Sequence, residues 1–372
     1  MALFGVSVVA PAAAQDIGVD ATLIGTFTAI VYSVAMVAGL MTGVFADRFG
    51  AIRVSQLLMI FALLGVTVLA LASPLAAIAS AVLLGLCYGP VNPVSTHILA
   101  RVTSEKSRPF FFSVKQTGMP AGAGLAGLLL PLVTAAIDWR AAIVTTGVVA
   151  ALIALFIQPL RPRLDAMLET GRKVRLNDIA TPLKLVLGEP RLRCLAIVTF
   201  AYSGAQVTMM TFYVVYLTSA LDLTLTTAGV IFMTLQVGAI LGRLLWGAIA
   251  ERLYPASRIL TLLGVATGIF AVAVSLFSTA WPLWAIGVTS FLLGMTCAGW
   301  NGLFFSELVK YAPADRTGEA ASGMQFIIML GVAAVPPVFG SAVVATGSYG
   351  GAFLAIAGGM VAAAIHHRVV FR

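Results

Sequence analysis

Charge is scarce in this sequence: Lys, Arg, Asp and Glu together make up 10% of 372 residues, and the acids number only 14. So little charge cannot clothe a water-soluble surface around a chain that is 60% hydrophobic with a mean hydropathy of +1.04. Cysteine is nearly absent too. Cys87, Cys194 and Cys297 lie within or at the ends of apolar runs, without metal-ligand spacing or a cysteine-rich loop, which leaves them as packing residues and calls for no metal. Histidine is limited to His97, His366 and His367. Neither G-x-S-x-G, G-x-x-x-x-G-K-[ST] nor H-E-x-x-H occurs, so the commonest hydrolase, nucleotide and zinc-protease signatures are missing and no cofactor is implied. A membrane-embedded enzyme stays as a weak alternative. So does a channel, since no filter-like segment or ring-forming charge interrupts the apolar runs.

What the chain has in abundance is apolar runs long enough to cross a hydrocarbon core, each about 20 residues. They fall near 1–15, 22–46, 54–73, 75–100, 109–137 and 141–160, then near 191–220, 224–250, 259–278, 281–309, 319–345 and 349–367. In lipid such runs must be helices, because each backbone group then finds its partner within its own segment. The reading is an all-α membrane protein of twelve transmembrane helices. The first is short: Met1 to Ala14 supplies 14 residues before Gln15-Asp16, and without a basic leader it does not read as a signal peptide. The expectation is a truncated first helix whose front part, with a cytoplasmic leader, precedes Met1 in the native chain.

The formal charge of +8 is topological and does not indicate nucleic acid. Every Lys and Arg except Arg140 belongs to, or lies within a few turns of, one face of the membrane. That face carries Asp47 to Arg53, Ser104 to Arg108, Glu251 to Arg258 and Lys310 to Arg316, and the positive-inside rule makes it cytoplasmic. The other face holds Asp16, Asp20, Asp138 and Asp222 with Trp139, Trp281, Trp284 and Tyr349, the residues of an aromatic belt. One long polar stretch, 161–190, reads as a basic linker against anionic headgroups. It separates an N-terminal half, 1–160, from a C-terminal half, 191–372.

The halves repeat one another. Gly43-Val44-Phe45-Ala46-Asp47-Arg48-Phe49-Gly50-Ala51-Ile52-Arg53 closes one apolar run, and Gly247-Ala248-Ile249-Ala250-Glu251-Arg252 closes another with the same spacing, 204 residues on. Asn92 and Arg101 recur as Asn301 and Lys310 at an offset of 209, which also pairs Ser113 with Ser322 and Gln116 with Gln325.

Gly43, Asp47, Arg48, Gly50 and Arg53 match the signature between the second and third helices of the major facilitator superfamily, which the chain resembles over nearly its whole length. Ala51 and Ile52 stand where that family usually has basic residues. The resemblance implies two pseudo-symmetric six-helix halves in parallel repeat, with a binding site at the bilayer midplane between them. It implies secondary active transport of a small solute by alternating access. It also implies that Gly43, Asp47, Arg48, Gly50, Arg53, Gly247, Glu251 and Arg252 are cytoplasmic gate residues. Gly118-Met119-Pro120-Ala121-Gly122-Ala123-Gly124 resembles the family's antiporter-associated motif, with Met119 separating glycine from proline.

Lys115 stands out from the residues themselves: it lies six positions after Pro109 in an otherwise apolar run, where an ammonium is costly and marks a substrate path or else snorkels to the surface. Its repeat mate is Met324. Polar residues at helical spacing surround it in the reading: Gly85, Gly89, Asn92 and Thr96; Tyr202, Gln206, Met209, Tyr213 and Tyr216; Ser322, Gln325 and Met329. These line a cavity or serve close packing and interhelical hydrogen bonds. Lys115, Gln116, Asn92, Gln206, Trp300, Asn301 and Gln325 are the substrate-binding candidates. Arg243 and Glu307 read as interfacial anchors or members of the gate network.

No span carries an Asp or Glu near mid-membrane, so a lone buried cation favours an anionic partner. The expected substrate is a small carboxylate-like metabolite, with a coupled proton or an exchanged anion. The alternative is efflux of lipophilic or drug-like compounds, suggested by the glycine-rich fifth run and the aromatic seventh. The expected setting is the cell membrane, multi-pass and monomeric, with both termini of the full-length chain cytoplasmic.

Overall fold

The computed structural model describes residues 1–102, 108–164, 180–313 and 316–371; within these, the side chains of residues 40–48, 93, 96, 97, 100–102, 108–110, 112, 113, 163, 164, 180 and 318 lie outside the description. The described residues form helices and no strands. Among the described residues, eleven stretches are long and apolar enough to cross a membrane, and Ala2–Ile17 is a shorter apolar helix.

By its internal contacts the chain divides into Met1–Arg175 and Leu176–Arg372. The first unit contains α1 (Ala2–Ile17), α2 (Ile24–Phe49), α3 (Ala51–Leu69), α4 (Pro74–Val102), α5 (Arg108–Ala136), α6 (Trp139–Phe156) and the single turn α7 (Arg161–Leu164). The second contains α8 (Ala180–Gly188), α9 (Pro190–Ser219), α10 (Leu225–Arg252), α11 (Ala256–Ser275), α12 (Leu283–Cys297), α13 (Asn301–Tyr311), α14 (Thr317–Thr346) and α15 (Tyr349–Val370). Packing repeats between them. In the first unit α2 packs on α4, α3 on α6 and α1 on α5; in the second α10 packs on α12, α11 on α15 and α9 on α14.

One contact repeated in both units is made by glycine. A Cβ on Gly85 of α4 would meet the Val31 carbonyl of α2 at 2.6 Å, and one on Gly294 of α12 would collide with the Leu235 carbonyl of α10. The two glycines are 209 residues apart and the two carbonyls 204, the same two offsets that relate the polar pairs and the charged ends of the halves. Small residues let backbones approach this closely where lipid supplies no hydrophobic drive between helices.

Two details differ from the sequence reading. The charged pairs, which follow the runs read near 22–46 and 224–250, are themselves helical: residues 47–48 and Glu251-Arg252 occupy the last turns of α2 and α10. The turn after α2 is Gly50 alone, at φ 91° and ψ 144°, a backbone conformation that residues with a Cβ avoid. Nor is the whole of 161–190 a solvated linker. Its last part is α8, packed on α9 and α14, with Val186 fully buried and the Pro182 carbonyl where a Gly323 Cβ would lie.

At the opposite end of the first unit, the one arginine assigned to the outer face is held on three sides. Arg140 pairs with Asp16 at 2.7 Å, donates to the Ala70 carbonyl at 3.2 Å and lies over the Trp139 ring. The Trp139 indole donates to the same Asp16 carboxylate. This clamp joins the end of α1 to the start of α6 and the end of α3.

Candidate functional site

In the first unit the candidates lie where α5 meets α4. Lys115 is half-buried and donates its ammonium to the backbone carbonyl of Asn92 at 3.2 Å. Seven residues separate it from the start of α5, or roughly 10 Å of helix rise, and it falls within the apolar stretch Val114–Ala136. Gln116 beside it is half-buried and the Asn92 side chain is exposed. Gly85 and Gly89, read as part of the same polar stripe, press on the α2 backbone at Val31 and Ala35 and serve packing. The small face of α5 packs against α1: a Cβ on Gly122 would stand 2.9 Å from the Met1 nitrogen, and Ala123 is fully buried. Thr96 and the gate candidates Gly43, Asp47 and Arg48 fall outside the described side chains. Gly50 is buried and Arg53 exposed.

In the second unit, the span 283–311 is two helices. It breaks at Ala298-Gly299-Trp300, between α12 and α13. A break frees carbonyls that an unbroken helix would use, and in a membrane these must be satisfied by neighbours. Here the Trp246 indole of α10 donates to the Met295 carbonyl at 2.9 Å. The Arg243 Nε donates to the Ala298 carbonyl at 3.1 Å, and the Asn301 amide reaches that carbonyl at 3.3 Å.

The break also brings three predicted residues together. Gln206 Oε1 accepts from the Trp300 indole at 2.9 Å and from the Asn301 amide at 3.5 Å. Gln206 and Trp300 are both buried, and the Trp300 ring meets Tyr202 edge-on at 5.9 Å. Gln325 and Ser322 are exposed on α14 and are not part of this group, whereas Met324 is fully buried. Gly247, Glu251 and Arg252 are exposed at the end of α10.

The tyrosines of α9 are structural. Tyr202 donates to the Leu260 carbonyl, Tyr216 to the Val274 carbonyl at 2.8 Å, and Tyr213 bonds Ser290 at 2.6 Å. Most residues of this helix are buried, Tyr202, Tyr213 and Tyr216 among them, so its aromatic face is the interior of the unit. Of the two meanings left open for that stripe, interhelical hydrogen bonding is the one observed. Sequence reasoning passed over Arg243 and Trp246 as supports of a broken helix, because both lie some fifty residues before the carbonyls they reach.

The sequence model described as the Major Facilitator Superfamily matches residues 1–336. The chain belongs to the major facilitator superfamily. Among its relatives is a gallate transporter of Pseudomonas putida, 23% identical over 386 residues, an alignment that covers 95% of this chain and 82% of that one. Two solved structures share the fold over all of this chain. A point mutant of the nucleoside transporter NupG superposes with a TM-score of 0.81 at 14% identity, covering 96% of that chain. A bacterial homolog of the human lysosomal transporter Spinster, inward-facing and occupied, gives 0.79 at 15% identity, covering 93%. At such identities the likeness concerns the fold. Superfamily membership makes this protein a multi-pass membrane transporter and sets the enzyme alternative aside.

Proposed function

We propose that this superfamily member is a secondary active transporter of a small carboxylate-bearing anion, working by alternating access in the cell membrane. The observation that carries the reading is Lys115: an ammonium half-exposed inside a membrane-spanning stretch, in a chain whose spans have no acid near mid-membrane. Such a charge is costly to hold there unless it serves a path for ions or substrate. The gallate transporter among its relatives handles a carboxylate, which supports the same class. Lys115, with Gln116 and Asn92 beside it, is the proposed anion contact of the first unit. Gly43, Asp47, Arg48, Gly50, Arg53, Gly247, Glu251 and Arg252 are proposed to brace the ends of their helices on the cytoplasmic side. The lipophilic-efflux reading draws less support, because the α9 tyrosines that suggested it are engaged with α11 and α12.

The test is counterflow of labelled gallate and benzoate into proteoliposomes by the wild type and by Lys115→Met, which copies position 324. Removing a desolvated charge partner costs about 2 to 5 kcal/mol, or roughly thirtyfold to several thousandfold in affinity. Lys115→Arg is expected to rescue in part, since a guanidinium presents a planar fork instead of a compact charge. Wild-type-like anion uptake by the Met variant at equal protein content overturns the assignment.

A further inference from the structure

Two phenols of the first unit have no part in the substrate reading above. Gly85 and Gly89 bring α4 against the α2 backbone at Val31 and Ala35, and between these contact points stand Tyr32 of α2 and Tyr88 of α4. The two rings meet edge-on, 5.2 Å between centres. Tyr32 is 2% exposed, and its hydroxyl, close to that of Tyr88, makes no hydrogen bond. A buried hydroxyl without a partner gives up its hydration for nothing, and hydrocarbon holds no water to restore it. The Tyr88 hydroxyl reaches the Met119 sulfur of α5 at 3.6 Å, and a thioether is a weak acceptor.

This pair lies one helical turn along from Lys115. Tyr88 precedes Asn92 by four residues on α4, and Met119 follows Lys115 by four on α5. The two helices therefore meet in two rungs about 6 Å apart along each axis. One rung is the Lys115 ammonium on the Asn92 carbonyl, the other the Tyr88 hydroxyl on the Met119 sulfur. Such a separation suits a single benzene ring with a polar group at each end. Tyr88 and Met119 are half-buried, and Gly118 beside them has nothing within 4 Å of where a Cβ would stand, which leaves room on this side of α5. A ring placed there gains edge-to-face contact with tyrosine and contact with the thioether sulfur.

We propose that the α4–α5 site takes an aromatic carboxylate with a hydroxyl across the ring from the carboxylate. Lys115 meets the carboxylate, Tyr88 and Met119 pack on the ring, and the Tyr32 hydroxyl finds its partner in the ligand's hydroxyl. The proposal rests on the carboxylate reading above and narrows it to one class of ring. It also gives the unpaired phenol a purpose: the site is complete in its hydrogen bonds only when a hydroxylated ring fills it.

Calorimetric titration of the purified protein with 4-hydroxybenzoate, benzoate, cyclohexanecarboxylate and 4-hydroxybenzamide tests this. The wild type is expected to bind 4-hydroxybenzoate roughly two- to tenfold tighter than benzoate, the worth of one net hydrogen bond. Benzoate should bind tighter than cyclohexanecarboxylate, and the uncharged amide weakest. In Tyr32→Phe the ratio between the first two is expected to fall to near one, with a thermal midpoint no lower than wild type, since only an unpaired hydroxyl is removed. A ratio preserved in that variant overturns the hydroxyl contact, and cyclohexanecarboxylate binding as well as benzoate overturns the aromatic one. Gly118→Leu fills the open side of α5 and should weaken both benzoates at an undiminished midpoint; wild-type affinity in that variant overturns the placing of the ring. Carboxylates that bind alike and lose affinity in Lys115→Met would overturn this proposal and leave the carboxylate reading standing. Binding by none of the carboxylates, or 4-hydroxybenzamide equal to 4-hydroxybenzoate, overturns both.

Discussion

Gly294 and Leu235 face each other so closely that the glycine has no room for a side chain: a Cβ there would occupy the Leu235 carbonyl. The neighbour is backbone, so relief requires α10 and α12 to separate. Gly287, on the same α12, has nothing within 4 Å of its Cβ position. Gly294→Ala is therefore expected to lower the thermal midpoint of the purified protein, at the overpacking cost of about 1 to 3 kcal/mol. Gly287→Ala should raise it slightly, since alanine is the better helix former. Equal midpoints for the two variants would show that the helices do not cross at this residue. Gly85→Ala should behave like Gly294→Ala, because it makes the same contact with Val31 in the first unit.

Arg140 bears on orientation. It is the one basic residue on the side proposed to be external, and its charge is engaged by Asp16, the Ala70 carbonyl and the Trp139 ring. A charge held in this way serves a structural clamp and is a weak exception to the positive-inside rule. A reporter fused after Arg175 is expected to read as cytoplasmic and one inserted at Asp138 as periplasmic. A periplasmic signal from the 161–190 region would reverse the proposed orientation.

The membrane helices were legible because their cause is local: an apolar run of sufficient length has few other options in lipid. Gly50 and the charged ends of α2 and α10 were legible for a related reason, since charge and chain reversal both need the membrane surface. The break at Ala298-Gly299-Trp300 was not legible. The run from Leu283 to Tyr311 stays apolar through it, and what sustains the break is Trp246 and Arg243, some fifty residues earlier in the chain. The α9 tyrosines were ambiguous for the same reason. Their spacing placed them on one face, but the carbonyls they reach lie on α11, and spacing carries no information about a partner. In the candidate site, Lys115 was conspicuous as a charge among apolar residues, whereas the roles of Gln206, Trp300 and Asn301 depend on tertiary hydrogen bonds.

Those three residues supply the last prediction, which separates a brace from a ligand. Gln206 offers a single carbonyl oxygen to two donors, the Trp300 indole and the Asn301 amide. Gln206→Leu leaves the buried Trp300 indole without its acceptor, which costs about 1 to 3 kcal/mol, while the Asn301 amide keeps the Ala298 carbonyl. Trp300→Phe removes one donor but leaves the oxygen bonded to Asn301, so its polar cost is smaller, with the loss of ring area added. If the group braces the helix break, the two substitutions share one interaction and their effects on the thermal midpoint will not add: the double variant should be less destabilised than the sum of the singles, with a coupling of about 0.5 to 3 kcal/mol. Counterflow by Gln206→Leu should then fall no further than the loss of folded protein accounts for. Additive effects on stability, together with a raised half-saturation concentration in Gln206→Leu at equal folded protein, would instead make Gln206 a substrate contact.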